Sequence, residues 1–268
     1  MLELKKVSKT FNPGTVNEKK ALIDLSLTLN DGDFVTIVGS NGAGKSTLFN
    51  AIAGTFLPDS GKILLDGQDV TFLPDYKRSK FVGRMFQDPM KGTAPNMTIE
   101  ENLALAYLRA SHSKSGFSMV SEEDRKEFRQ RLSRLGLGLE DRMKQPVGLL
   151  SGGQRQALTL LMATLVPPKL LLLDEHTAAL DPATAEKVLE LTKQIVAENH
   201  TTCLMITHNV SSALSLGNRT IMMNAGGIAL DLTGEIREGL TPEGLLAMFK
   251  EKVREGLDND RILFSDAE

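Results

Sequence analysis

The stretch FVTIVGSNGAGKS, residues 34–46, joins a largely apolar run to a glycine-rich turn. Phe34 to Val38 is typical of a strand buried on both faces. Gly39-Ser40-Asn41-Gly42-Ala43-Gly44-Lys45-Ser46 follows and fits G-x-x-x-x-G-K-[ST]. Glycines let backbone N–H groups turn inward, and a helix that begins at Lys45 adds the positive end of its dipole. The stretch predicts a phosphate-binding loop, in which Lys45 contacts the β- and γ-phosphates and Ser46 offers its hydroxyl to Mg²⁺.

Further apolar runs indicate more strands. Residues 21–30, ALIDLSLTLN, alternate, with Ile23, Leu25, Leu27 and Leu29 on one face, and this predicts a half-exposed strand at a sheet edge. Buried-type strands are predicted at Leu170 to Leu173, Thr202 to Ile206 and Thr220 to Met223, with helical stretches between them. Strands that alternate with helices favour a mostly parallel sheet covered on both faces.

Residues 89 to 165 interrupt this alternation with helical signals and no convincing strand. Thr98 with Glu101 fits a capping box that opens one helix. Ser121 with Asp124 opens a second, strongly charged helix. We therefore expect a helical insertion into an α/β core.

Several boundaries follow from turn and breaker residues. The charged helix is expected to stop at Gly136, and the polar segment 111–119, SHSKSGFSM, is expected to form an exposed loop. Pro242 starts a last amphipathic helix, and the acidic tail after Lys252 is expected to be poorly ordered. The predicted domains are 1–88 (core with an antiparallel β subdomain), 89–165 (helical subdomain), 166–240 (second part of the core) and 241–268 (C-terminal helix and tail).

A pair of carboxylates ends the leucine-rich strand at Leu170 to Leu173. Asp174 and Glu175 lie at its carboxyl end, which is where ligands bind in parallel sheets. Asp174 is expected to hold Mg²⁺ through its water shell, and Glu175 to polarise an attacking water as general base. Together with the phosphate-binding loop, this pair predicts a nucleoside triphosphatase.

The pentapeptide Leu150-Ser151-Gly152-Gly153-Gln154 indicates which branch of the nucleoside triphosphatases the chain belongs to. LSGGQ, followed by a helix and then by the acidic strand, resembles the signature of ABC-type ATPases, and the resemblance extends from Leu4 to about Met223. Ser151 and the two glycines, ahead of a helix, form a second cradle of N–H groups for an anion. The resemblance implies a P-loop fold of the ABC type with a mostly parallel core sheet, an antiparallel β subdomain and an inserted α-helical subdomain.

The resemblance also assigns roles to single residues. Gln87 matches the Q-loop glutamine that senses Mg²⁺ and water, Asp181 matches the D-loop, His208 matches the switch histidine at the γ-phosphate, and Phe11 matches the aromatic that stacks on adenine. From its position before Pro182, Asp181 is also a good helix N-cap. The expected catalytic residues are Glu175, His208, Gln87 and Lys45. The expected ATP-binding residues are Phe11, Gly39, Ser40, Asn41, Gly42, Ala43, Gly44, Lys45, Ser46, Thr47, Ser151, Gly152, Gly153, Gln154 and Asp181, and the expected Mg²⁺ ligands are Ser46, Gln87 and Asp174.

His176 departs from the family pattern, in which proline commonly follows the catalytic glutamate. We interpret it as a polar substitute in a bend, outside catalysis. The single cysteine, Cys203, excludes an internal disulfide and lies in an apolar run, where it is expected to be a small buried side chain.

Composition limits the partners. A formal net charge of -3 provides no basic field for nucleic acid. The sequence contains no apolar run of the ~20 residues that a spanning helix needs, and no apolar region follows the first lysines as a secretory signal requires. The chain is therefore expected on the cytoplasmic side of the cell membrane, as a peripheral subunit.

The expected function is ATP hydrolysis that drives a separate transmembrane permease, in small-molecule or amino-acid uptake. In this family the phosphate loop of one subunit faces the LSGGQ of another, so a second ATPase subunit is implied, in a homodimer or a heterodimer with the homodimer favoured, together with an extracytoplasmic substrate-binding protein. The DEHTAALDP stretch and the EIREGLTPEGLLAMF stretch resemble tryptophan/tyrosine-type uptake ATPases. An iron–sulfur assembly ATPase and an export ATPase remain alternatives, whereas a structural nucleotide-binding module is disfavoured because Lys45, Glu175 and His208 are intact.

Overall fold

The structure is a computed structural model that describes residues 1–110 and 120–265. The chain divides into two compact units. The first unit comprises Met1–Phe72 and the chain from Leu204 onward, and the second comprises Leu73–Cys203. The predicted domain boundaries stay a prediction.

The strands are β1 (Leu2–Phe11), β2 (Lys19–Leu29), β3 (Phe34–Gly39), β4 (Ser60–Leu65), β5 (Gln68–Asp69), β6 (Val82–Met85), β7 (Leu170–Asp174), β8 (Thr202–Ile206), β9 (Arg219–Asn224) and β10 (Gly227–Thr233). The α-helices are α1 (Lys45–Ala53), α2 (Asp75–Arg78), α3 (Ile99–Ala110), α4 (Glu122–Ser133), α5 (Gly152–Thr164), α6 (Pro182–Glu198), α7 (Val210–Ser215), α8 (Gly234–Glu238) and α9 (Pro242–Ser265). The predicted strands at 34–38, 170–173, 202–206 and 220–223 are confirmed as β3, β7, β8 and β9.

An antiparallel sheet in the first unit has the strand order β2-β1-β4-β5, so β2 is an edge strand as predicted. Its predicted alternation is wrong at one residue: Ile23 is exposed, and Leu22 is buried in its place. The cause is an irregularity at Asp24, which has φ 42° and whose backbone N–H donates to the Ser8 hydroxyl. The pairing register with β1 shifts there, which moves the residues before Asp24 to the opposite face.

The parallel part of the first unit contains β3 beside β9, with β10 antiparallel to β9. Every residue of β3 before Gly39 is buried, which explains the run of apolar side chains. Helix α9 packs Leu245 against the strands, in a cluster with Val38, Met222 and Leu232. The loop between β3 and α1 is thus attached to a buried strand.

The second unit contains β6 parallel to β7 and a helical cluster. The elements described between residues 89 and 165 are α3, α4, α5 and two short 3₁₀ turns. Their apolar faces form one core, which contains Ile99, Leu103, Phe128, Leu132, Leu158 and Leu161. The predicted capping box is present, since Glu101 N–H donates to the Thr98 hydroxyl and Thr98 N–H donates to the Glu101 carboxylate. Ser121 begins α4 as predicted, and it forms a second capping box with Asp124.

One helix end differs from its sequence-based expectation. Helix α4 ends at Ser133, and Gly136 lies beyond it with φ 62°. Helix α9 begins at Pro242 as predicted and continues past Lys252 to Ser265, whereas the expected poor order of the residues after Lys252 stays a prediction. They contain no proline, and their single glycine does not end the helix. The predicted loop at 111–119 lies outside the described residues.

Candidate functional site: two phosphate-binding loops and a pair of carboxylates

The loop between β3 and α1 is shaped by glycines where the backbone comes closest to its neighbours. A Cβ on Gly44 would lie 2.4 Å from the Ala21 carbonyl oxygen, and a Cβ on Gly39 would lie 2.4 Å from that of Met223. Gly42 and Gly44 have φ 85° and 102°, in the region that only glycine adopts at no steric cost. The glycines of the motif are therefore required by the turn itself.

Lys45 turns back over this loop. Its Nζ donates to the carbonyl oxygens of Gly39 at 2.7 Å and Ser40 at 3.1 Å, and the residue is only 7% exposed. Helix α1 begins at Lys45 with Gly44 as N-cap, no side-chain cap and no acidic residue in its first turn. A helix start without a side-chain cap, with an ammonium beside it, suits a phosphate group.

The carboxylates and the Q-loop glutamine lie together in the second unit. Since β6 and β7 are parallel neighbours, the residues that follow them meet at one edge of the sheet. Gln87 Nε2 donates to Glu175 Oε2 at 3.0 Å. Glu175 has φ 47°, a left-handed conformation that is unusual for a residue with a side chain. The structure thus joins Gln87 and Glu175, which are distant in sequence.

Arg84 is a residue at this edge that the sequence analysis missed. Its guanidinium lies 4.0 Å from an Asp174 carboxylate oxygen and 4.5 Å from the centre of the Phe86 ring. Burial lowers the pKa of Arg84, and the nearby Asp174 charge opposes that shift. An arginine inside the otherwise apolar run FVGRMF was the available signal, because a charge in a buried strand requires a partner.

His208 lies in the first unit, in an exposed turn between β8 and α7. The following residue, Asn209, caps α7 by accepting a hydrogen bond from Ser212 N–H. His208 therefore belongs to the same unit as the loop at Lys45, whereas Gln87, Asp174 and Glu175 belong to the other.

The LSGGQ segment forms the start of α5. The Ser151 Oγ accepts from Gln154 N–H, and Gln154 Oε1 accepts from Ser151 N–H, so the two residues form a capping box. Gly153 is buried, and a Cβ there would lie 2.2 Å from Thr184 Cγ2 of α6. The second glycine is therefore needed for the close approach of the two helix starts.

Asp181 is the N-cap of α6, with Pro182 in the first turn, as predicted. Its carboxylate accepts from Thr184 N–H at 3.1 Å, and the side-chain and backbone hydrogen bonds at Thr184 lower the pKa of Asp181. Thr184 thus donates to Asp181 and occupies the space that a side chain at Gly153 would need.

Phe11 lies at the end of β1 and is partly exposed. Its ring packs edge to face against Phe56, with centroids 5.5 Å apart and an angle of 86°. Lys9 Nζ lies 5.9 Å from the Phe11 centroid and binds Asp59 at 2.7 Å. The sequence gives no signal for Phe56, because it lies on a different segment of the chain.

Two residues without an assigned catalytic role are buried. His176 is 2% exposed, and burial lowers its pKa to about 4, so the ring is neutral at physiological pH. Its Nε2 lies 3.1 Å from the Thr192 hydroxyl. Cys203 is fully buried as predicted, and burial raises the pKa of its thiol.

Comparison with known proteins defines the class. Residues 22–178 match the family model described as ABC transporter, which is more than half of the chain. The chain belongs to this family, as an ABC-type ATPase that binds and hydrolyses nucleotide. It is 30% identical to the ATP-binding cassette MJ0796 in a dimeric post-hydrolysis state bound to ADP and Pi, with a TM-score of 0.75 and coverage of 87% of this chain and 98% of that one. The predicted fold class is confirmed.

Relatives within the family are transport ATPases. The chain is 44% identical over 251 residues to a tyrosine transport ATP-binding protein of Clostridioides difficile, covering 93% of this chain and 99% of that protein. It is 36% identical over 233 residues to the spermidine/putrescine import ATP-binding protein PotA of Haemophilus ducreyi, covering 87% of this chain and 58% of the relative. Within residues 1–110 and 120–265, no helix combines the length and hydropathy of a membrane span.

Proposed function

We propose that the chain is the ATPase subunit of an amino-acid importer whose cargo is tyrosine or a related aromatic amino acid. The observation that carries this proposal is the 44% identity to a tyrosine transport ATP-binding protein across 99% of that protein's length. Two relatives from other import systems are less similar, at 36% for a spermidine/putrescine import ATP-binding protein and 33% for a methionine import ATP-binding protein.

Nucleotide binding is assigned to the loop between β3 and α1 and to the aromatic at the end of β1. Lys45 and the N–H groups of residues 39–47 hold the phosphates, and Phe11 stacks on adenine. Phe56 packs edge to face against the Phe11 ring, at a centroid distance of 5.5 Å. Stacking on an aromatic face is compatible with this arrangement, because an edge-to-face partner holds the ring while covering only part of it.

Hydrolysis is assigned to Glu175 as the general base that accepts a proton from the attacking water. Gln87 donates to the Glu175 carboxylate at 3.0 Å and so orients it. His208 is assigned to the γ-phosphate. The negative charge that develops on the phosphoryl oxygens is stabilised by Lys45 and by the uncapped start of α1.

The donor chemistry fits Mg²⁺, which prefers oxygen ligands. Ser46, Gln87 and Asp174 offer a hydroxyl, an amide oxygen and a carboxylate, and we assign these to the ion. When bound, Mg²⁺ neutralises phosphate charge. We assign Arg84, whose guanidinium lies 4.0 Å from an Asp174 carboxylate oxygen, to hold that carboxylate in place.

The signature segment is assigned to the ATP of a second ATPase subunit, in a homodimer. The Ser151 oxygen accepts a hydrogen bond from Gln154 N–H, which leaves the Ser151 hydroxyl proton as a donor to phosphate. Asp181 is assigned to the same subunit interface. The dimer binds transmembrane permease chains at the cytoplasmic face of the membrane, as a peripheral subunit, and an extracytoplasmic binding protein delivers the amino acid.

The test is reconstitution of the chain with its cognate permease and binding protein in proteoliposomes. ATP inside the vesicles is expected to drive uptake of labelled tyrosine, and Lys45→Ala is expected to abolish both ATP binding and uptake. Lys80→Ala is the matched control, because Lys80 lies in an exposed turn outside the site. ATP hydrolysis with no aromatic amino-acid uptake, but with release of cargo from loaded vesicles, would identify an exporter instead.

A further inference from the structure

The turn that carries Glu175 is held by a buried side-chain pair. His176 directly follows Glu175, and its Nε2 lies 3.1 Å from the Thr192 hydroxyl of α6. Both residues are almost fully buried, at 2% for His176 and 0% for Thr192. The pair therefore joins the turn after β7 to the interior face of a seventeen-residue helix.

The direction of this hydrogen bond follows from the partners of Thr192. The Thr192 hydroxyl donates its only proton to the Val188 carbonyl oxygen at 2.8 Å, because a carbonyl can only accept. The hydroxyl oxygen is then an acceptor for the histidine, so the proton lies on His176 Nε2. Helix α6 thus fixes the Thr192 hydroxyl, and the Thr192 hydroxyl fixes the imidazole.

The same turn contains the unusual backbone of Glu175. Glu175 has φ 47°, and its carbonyl oxygen accepts from Ala178 N–H at 3.0 Å. A left-handed residue with a side chain persists only where its surroundings determine it. Glu175 directly follows the last residue of β7, and it is itself followed directly by the anchored His176.

Release of that anchor would let Glu175 return to a more favourable conformation. A change in φ turns the Cα–Cβ bond and moves the carboxylate, which at present accepts from Gln87 Nε2 at 3.0 Å. The geometry points to His176, through its hydrogen bond to Thr192, as a positioning residue that holds Glu175 in the orientation used for hydrolysis. This inference rests on the proposed role of Glu175 as general base.

Thr192 offers a matched pair of variants. Thr192→Val keeps the shape and removes the hydroxyl, whereas Thr192→Ser keeps the hydroxyl. With the chain bound to its permease, Thr192→Val is expected to lower kcat for ATP hydrolysis about tenfold with the KM for ATP changed less than about twofold, because a misplaced general base affects the chemical step. Thr192→Ser is expected to stay within about twofold of wild type.

A double-mutant cycle separates positioning from general damage. In a Glu175→Gln background, Thr192→Val is expected to cause no further loss of residual hydrolysis, because the pair acts through the Glu175 carboxylate. Equal kcat values for Thr192→Val and Thr192→Ser, or a further tenfold loss in the Glu175→Gln background, would overturn the inference. A wild type that binds its permease but does not hydrolyse ATP would instead overturn the proposed function.

A measurement on the wild type covers the case in which Thr192→Val does not fold. Long-range ¹H–¹⁵N NMR distinguishes the protonated from the bare nitrogen of each imidazole, and the chain has only four histidines to assign. A protonated Nε2 on His176 is expected. A bare Nε2 would contradict the hydrogen-bond direction and with it the inference.

Discussion

The phosphate loop and the turn at Glu175 both require left-handed backbone, but they reach it differently. In the phosphate loop, Gly42 and Gly44 have φ 85° and 102°, and glycine adopts these values at no steric cost. In the other turn Glu175 has φ 47°, which costs about 1–2 kcal/mol for a residue with a side chain. The first is built by backbone and small residues, whereas the second is maintained by contacts of buried side chains such as His176.

The largest expected effect tests the turn held by side chains. Glu175→Gln is expected to lower the rate of ATP hydrolysis by about 10²–10⁴-fold, because the amide cannot accept the proton of the attacking water. ATP binding is expected to stay intact, because the proposed phosphate-binding residues, Lys45 and its loop, are unchanged. Steady-state phosphate release and equilibrium nucleotide binding measure the two quantities.

Glu186→Gln is a suitable control for that variant, because it replaces a carboxylate by an amide at a position away from the turn. Glu186 is exposed on α6. It is expected to hydrolyse ATP at the wild-type rate. Hydrolysis by Glu175→Gln at a similar rate would remove Glu175 from the mechanism.

The next effect tests the loop held by backbone. Gly44→Ala is expected to lower the free energy of unfolding by more than about 3 kcal/mol, because a left-handed alanine is strained and its Cβ would also lie 2.4 Å from the Ala21 carbonyl oxygen. Gly42→Ala shares the strain but meets only the flexible end of Lys19 at 3.5 Å, so about 1–2 kcal/mol is expected. Urea denaturation measures both, and equal losses would show that the collision at Gly44 is relieved by movement.

This contrast explains how much could be read from the sequence. The phosphate loop was predictable because neighbouring backbone atoms leave no room for a side chain at Gly39 and Gly44, and these glycines occur at a fixed spacing from Lys45. The carboxylates after β7 were predictable because a run of leucines marks a buried strand. The family resemblance assigned Gln87 a role at Mg²⁺ and water, but its hydrogen bond to Glu175 was not predicted and is a consequence of β6 pairing with β7.

Features made by side chains from distant segments were not predictable. No local pattern joins His176 to Thr192, or Phe11 to Phe56, because each pair meets only after the chain has folded. The irregular register at Asp24 likewise depends on the Ser8 hydroxyl of another strand, so simple alternation placed Ile23 on the wrong face. Strand β1 went unpredicted because a register shift between Leu4 and Val7 breaks its alternation.

A third prediction tests whether a glycine of the LSGGQ segment, in the second unit, is also required because there is no space for a side chain. Gly153→Ala is expected to cost about 1–3 kcal/mol of stability, because the added Cβ would lie 2.2 Å from Thr184 Cγ2. The double variant Gly153→Ala with Thr184→Ser is expected to recover most of this loss, since serine lacks that methyl group but keeps the hydroxyl. Thermal unfolding of the single and double variants measures the recovery. Equal stabilities would show that contact with the Thr184 methyl group does not cause the loss.

The smallest expected effect tests a charged contact between helices of the second unit. Glu100 is 5% exposed and binds Arg125 at 2.8 Å and Lys144 at 3.0 Å. Burial acts to raise the pKa of Glu100, but the hydrogen bonds from Arg125 and Lys144 outweigh it and place the pKa below the ordinary value of 4.5. Glu100→Gln is expected to cost about 1 kcal/mol at pH 7, because both cationic partners remain partly solvated.

The pH dependence of this loss of stability follows from the direction in which the pKa of Glu100 is shifted. A carboxyl whose pKa is lower in the folded chain contributes stability above pH 4.5, and the contribution is lost as the pH falls through the folded value. The difference between wild type and Glu100→Gln is therefore expected to shrink below pH 4.5 in urea titrations. Glu122→Gln is the control, because Glu122 is 85% exposed and its pairing with Arg125 is a surface contact. A difference that stays constant down to pH 3 would show that Glu100 stabilises the helices by packing and not by its charge.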